Sequence, residues 1–216
     1  MKKGDCLWLA ALITVSTLLF LPEFHQAFLV LTKNHPYLMG FIKFSLLATM
    51  GEMLALRIEK KTWSQPPILP ARIVIWGLIG IMIVLMFELY MSGVHGVVAK
   101  GLLWTGQGAT REFWFAFYVS VTMNLTFAPI FMAVHRVLDT YLDVIANSIE
   151  TWPRFALSDL LNRINWQVFI IFIAKTVIFF WIPAHTLTFL LPPEYRVVVA
   201  AYLSIVLGAI LAYGKR

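Results

Sequence analysis

The sequence predicts an all-α integral membrane protein: a helical bundle of about six transmembrane helices with one interfacial amphipathic helix. Three observations carry this. Of 216 residues, 60% are hydrophobic and 13% are charged, and mean hydropathy is strongly positive, which is a composition foreign to soluble domains. Apolar runs recur at the length of a bilayer crossing, for which about 20 residues suffice. Finally, Lys and Arg stand at the ends of those runs and form no groove-sized patch, so the net charge of +6 reads as membrane topology and no nucleic-acid partner is expected.

Each element follows from the local pattern. Leu7 to Leu21 follows Met1-Lys2-Lys3 like the apolar core of a signal peptide, but Pro22-Glu23-Phe24-His25 stands where a small-x-small cleavage site belongs. Residues 1–22 are therefore expected to remain as an N-terminal anchor helix ahead of a transmembrane bundle over 23–216. Phe24 to Thr32 continues as a short interfacial segment, which Asn34-His35-Pro36 stops because proline disfavours helical geometry in the residue before it. Span two, Tyr37 to Leu56, carries Lys43 and Glu52 and ends at Arg57-Ile58-Glu59-Lys60-Lys61; Pro66, Pro67 and Pro70 stiffen the following turn.

Span three, Arg72 to Met91, has Glu88 near its far end. Ser92 to Thr110 holds five of the twelve glycines. No Gly-Lys-Ser/Thr follows them, so the stretch reads as a flexible loop with an interfacial apolar patch rather than a phosphate cradle. Span four, Glu112 to Val134, has Asn124 near its middle and Pro129 toward its end. From Arg136 to Ile149, Val137, Leu138, Tyr141, Leu142, Ile145 and Ile149 recur at helical spacing opposite Asp139, Asp143 and Asn147, which predicts an amphipathic helix in the interface, broken by Trp152-Pro153. Span five, Gln167 to Leu191, contains one charge, Lys175. In span six, Arg196 to Tyr213, Ala200, Ser204, Gly208 and Ala212 recur every four residues, a small-residue stripe that lets another helix approach closely; a homo-oligomer is compatible with it.

With the N-terminus inside, six spans place Lys2, Lys3, Arg57, Lys60, Lys61, Arg72, Arg136, Arg154, Arg163, Lys215 and Arg216 on the inner side. Lys33, Lys100, Arg111 and Arg196 fall outside, a positive-inside bias that puts both termini inside. Charges within the spans then sort by depth into an outer pair, Lys43 with Glu88, and an inner pair, Glu52 with Lys175. Two readings of them stand side by side: structural ion pairs and snorkelling lysines, or a polar path through the bundle continued by Asn124.

Several short motifs resemble, in order, the Mpv-seventeen / twenty-two-kilodalton peroxisomal membrane protein family. They are Asn34-His35-Pro36 with Gly51-Glu52, Arg72 with Gly80, Phe127-Ala128-Pro129, Thr176 to Trp181 with Pro183, and Pro192-Pro193-Glu194-Tyr195-Arg196. Departures include Glu52 in place of aspartate, Ile182 between Trp181 and Pro183, and Leu207-Gly208 where tryptophan and asparagine are usual. The resemblance implies a small bundle in an organellar or, given the Met-Lys-Lys start, a bacterial inner membrane, with channel-like passage of small solutes.

The leading functional expectation is a channel or transporter for a small solute or ion, lined by Lys43, Glu52, Glu88, Asn124 and Lys175. A non-transporting scaffold or assembly factor is the alternative and a membrane-embedded enzyme the third. No Ser/His/Asp pattern, paired catalytic carboxylates or nucleophile elbow occurs, so no enzyme activity is expected. Cys6 is the one cysteine. None of His25, His35, His95, His135 and His185 forms an i, i+4 pair, so they read as interfacial, and no metal or cofactor is expected.

Overall fold

A computed structural model describes residues 3–148 and 156–214, and among these it contains helices and connecting turns but no strand. The helices are α1 (Lys3–Leu18), α2 (Pro22–Asn34), α3 (Pro36–Lys60), α4 (Leu69–Ala99), α5 (Ala109–Ala146), α6 (Leu157–Asn162), α7 (Trp166–Thr176), a π-helical turn (Val177–Trp181), α8 (Ile182–Leu190) and α9 (Pro193–Gly214). Five helical stretches are long and apolar enough to cross a membrane: α3, α4, α5, the run from α7 through α8, and α9. The pair α1 and α2 makes a sixth if counted together, although the two are bent by 78° at the break before Pro22. Alone, the 16 residues of α1 reach about 24 Å, short of a hydrocarbon core of about 30 Å.

The helices group into two compact units. The first comprises residues up to Leu85 together with Pro192 onward, the second Met86 to Leu191, and α4 contributes to both. In the first unit α3 packs extensively on α9. Glycine makes this approach feasible: a Cβ on Gly51 would lie 3.0 Å from the Ile205 Cα, and one on Gly208 3.2 Å from the Gly51 carbonyl oxygen. Ala200 and Ala212 on the same face of α9 are buried. Polar bonds attach α1 to this unit, from Trp8 Nε1 to the Met50 carbonyl (3.0 Å) and between Ser16 Oγ and Tyr202 OH (2.8 Å).

In the second unit α5 packs on α8. The π turn directly precedes the segment containing Pro183, whose missing N–H leaves the ordinary ladder incomplete, and the wider turn absorbs that interruption without ending the helix. Pro129 is likewise held inside the 38-residue α5.

Two expectations change. The amphipathic stretch from Arg136 is not a separate helix but the continuation of α5 to Ala146. No glycine or proline follows Pro129 before that end, so a change of polarity alone does not stop the helix. Leu142 and Ile145 are buried on it, α6 packs against α5, and Leu160 of α6 is buried too. The stretch from Ser92 is not all loop either, because α4 runs on through Gly93 and Gly96 to Ala99. Ile149, Trp152-Pro153 and the basic residues Lys2, Arg154, Lys215 and Arg216 lie outside the described residues.

Candidate functional site

The charges inside the helices find partners close to hand. Arg72 and Trp76, one turn apart on α4, both face Glu52 on α3: Arg72 Nη1 donates to Glu52 Oε1 (2.7 Å) and Trp76 Nε1 to Oε2 (3.1 Å). Arg72 Nε also donates to the Pro67 carbonyl (2.9 Å), so the proline-bearing turn fixes the guanidinium from behind. Side-chain exposure is 7% for Arg72 and 20% for Glu52, so the pair is largely desolvated, and its geometry must offset that cost. Glu52 is thus paired with Arg72 inside its own unit. Lys175 is exposed on α7, nine residues after Trp166 and about 14 Å along the helix from it.

Lys43, buried on α3, donates from Nζ to Thr32 Oγ1 of α2 (2.9 Å) and lies 4.4 Å from the centroid of the Phe28 ring, a cation–π arrangement. Glu88 is exposed on α4 and accepts a hydrogen bond from Ser92 Oγ (3.2 Å) one turn further on. Both charges are stabilised within their own unit.

The second unit contains a different kind of cluster, uncharged in its hydrogen-bonding pattern. Ser120 and Asn124 on α5 are completely buried at 0% exposure, and His185 on α8 is 5% exposed. Asn124 Nδ2 donates to the Ser120 carbonyl (2.8 Å) and to Ser120 Oγ (3.2 Å), and Ser120 Oγ in turn donates to the Ile182 carbonyl (2.8 Å). Those bonds fix the amide orientation, so Asn124 Oδ1 is the atom facing His185 Nδ1 at 3.2 Å, and Nδ1 carries the proton. His185 Nε2 is left with no hydrogen-bond partner among the described residues. Trp181 stacks on the ring (centroids 5.0 Å apart, 21° between planes) and Phe87 meets it edge-on at 5.7 Å, so the imidazole is oriented on both sides. Thr176, Thr186 and Thr188 are also buried on this helical run, but their hydroxyls bond their own helix backbone one turn back.

His185 therefore departs from the interfacial reading of the histidines. The available signal was its position six residues before the end of the apolar run that finishes at Leu191. Arg72 was legible as a span boundary, not as the partner of Glu52. Of the residues in the resembling motifs, Pro36 and Pro193 begin α3 and α9 beside His35 and Pro192, Gly51 lies in the α3–α9 contact, and Trp181 belongs to the His185 cluster. Arg196 lies in the first turn of α9 and is half-buried.

A third polar cluster lies at the end of α3. Asp5 of α1 accepts from Arg57 through both oxygens (2.8 and 3.1 Å) and from Trp63 Nε1 (2.8 Å). Among the described residues no group of three His, Cys, Asp or Glu side chains is placed to hold a metal ion. No protein-family model, curated protein or solved structure matches the chain.

Proposed function

We propose that the chain is a small channel or transporter whose narrow polar point is the Asn124–His185–Ser120 cluster between α5 and α8. The observation that carries this reading is His185 Nε2, an acceptor-capable nitrogen without a partner inside an apolar helix pair. Polar groups at such depth are costly, and one left open serves a passing group better than it serves packing. A solute N–H or O–H, or a proton, is the species that this nitrogen can receive. The passage is narrower than the five-residue path expected from sequence, because Lys43 and Glu52 are engaged locally while Glu88 and Lys175 are exposed. The ordered motifs that resemble the Mpv-seventeen-like family support the same reading, the Met-Lys-Lys start supports a bacterial inner membrane, and the basic bias supports both termini inside.

A scaffold or assembly role is the second reading, favoured by the local partners that Lys43, Glu52 and Arg72 find within the first unit. Flux measurement separates the two. Purified protein in liposomes, tested with protons and a panel of small polar solutes, is expected to conduct above empty vesicles, and Asn124→Leu is expected to reduce that flux. Vesicles that remain as tight as empty ones for every species tested would favour the scaffold.

A further inference from the structure

We infer that the end of α3 carries a binding site for an anionic phospholipid, independent of the passage between α5 and α8. A cleft of about 350 Å³ opens there, lined by Trp8, Leu9, Leu54, Ile58, Trp63 and Tyr213 around the Asp5–Arg57 pair. Its walls are mainly apolar and suit an acyl chain. Its polar edge suits a phosphate: Arg57 engages Asp5 through Nε and Nη2 only, so the N–H groups of Nη1 make no hydrogen bond among the described residues, and the side chain remains 19% exposed. A half-buried fork with one side fixed by a carboxylate presents its other side in a defined direction.

The charge around the cleft is complementary to such a ligand. The first turn of α1 meets Trp63, since a Cβ on Gly4 would collide with the Trp63 ring, so Lys3 lies at the same end as Arg57, Lys60 and Lys61. Those four cations outnumber Asp5 and Glu59 by two. Depth agrees as well, because the 25 residues of α3 extend about 37 Å and bring its last turn to a bilayer face, where tryptophan and lysine meet headgroups. Zwitterionic lipid would gain the apolar contacts but little of the electrostatic attraction, so the site selects by headgroup charge.

The test is thermal unfolding of the full-length protein in a neutral detergent, titrated separately with phosphatidylglycerol, phosphatidylcholine and inorganic phosphate. Phosphatidylglycerol is expected to raise the midpoint by several degrees and the other two to leave it near the starting value. In Lys60→Gln/Lys61→Gln the concentration of phosphatidylglycerol giving half the shift is expected to rise about thirtyfold, from the surface attraction each lysine contributes. Leu54→Trp, which fills the cleft, is expected to abolish the shift; if that variant does not fold, the lysine variant decides. Equal shifts with phosphatidylcholine or with phosphate alone, or a lysine variant that responds like the wild type, would overturn the inference.

Discussion

Replacing Arg72 with methionine leaves Glu52 as a largely buried carboxylate that keeps Trp76 but has lost the donor at 2.7 Å, and it strands the Pro67 carbonyl. Breaking a buried pair from one side costs about 3–5 kcal/mol. Glu52→Leu should cost a similar amount, since it leaves the Arg72 guanidinium, 7% exposed, without its carboxylate. With both changes no charge is stranded, and what remains is the Pro67 carbonyl and the Trp76 N–H, at about 1–3 kcal/mol each. The double variant should therefore lose less than the two singles together, with a coupling energy of about 3 kcal/mol. Reversible unfolding in mixed detergent–dodecyl sulfate micelles, followed by tryptophan fluorescence, measures all three. Costs that add to within about 0.5 kcal/mol would show that the two side chains do not act as a pair and would refute the reasoning.

Gly40→Val places a Cβ 2.7 Å from the Gly80 carbonyl oxygen, a rigid backbone atom, and is expected to destabilise by about 1–3 kcal/mol in the same unfolding assay. Thr32→Val removes the hydroxyl that receives the Lys43 ammonium and should cost about 1–3 kcal/mol, whereas Lys43→Met removes the charge along with its need for a partner and should cost less; the order of the two midpoints checks this. Cysteine-accessibility labelling in sealed cells is expected to find Lys60 on the inner side and Lys100 on the outer, in keeping with the distribution of basic residues, and the opposite pattern would overturn that orientation.

The helical spans were legible because their signal is one-dimensional: an apolar run of bilayer length announces itself whatever surrounds it. Lateral neighbours are not encoded that way. Depth alone matched Glu52 to Lys175, but Glu52 faces α4, where Arg72 reaches it from what reads as the mere boundary of a span. Lys175 sits in a run hydrophobic all round, which gives no clue to the face that points outward, so its exposure could not be read. Gly93 and Gly96 read as loop because glycine weakens soluble helices, yet α4 contains both, as apolar membrane helices often do. Asn124 stood out as a lone amide in an apolar span, but His185 did not, because its meaning comes from Asn124 across the α5–α8 contact, 61 residues away in sequence.

The central claim, that a polar opening at His185 serves a passing solute or proton, is tested most directly by flux through wild-type and His185→Phe protein reconstituted in parallel vesicles. Phenylalanine preserves the stacking with Trp181 and the edge contact with Phe87 but removes both ring nitrogens. The account predicts that the wild type conducts and that the variant, folded and inserted to the same extent, falls to the level of empty vesicles; undiminished flux through His185→Phe would contradict it.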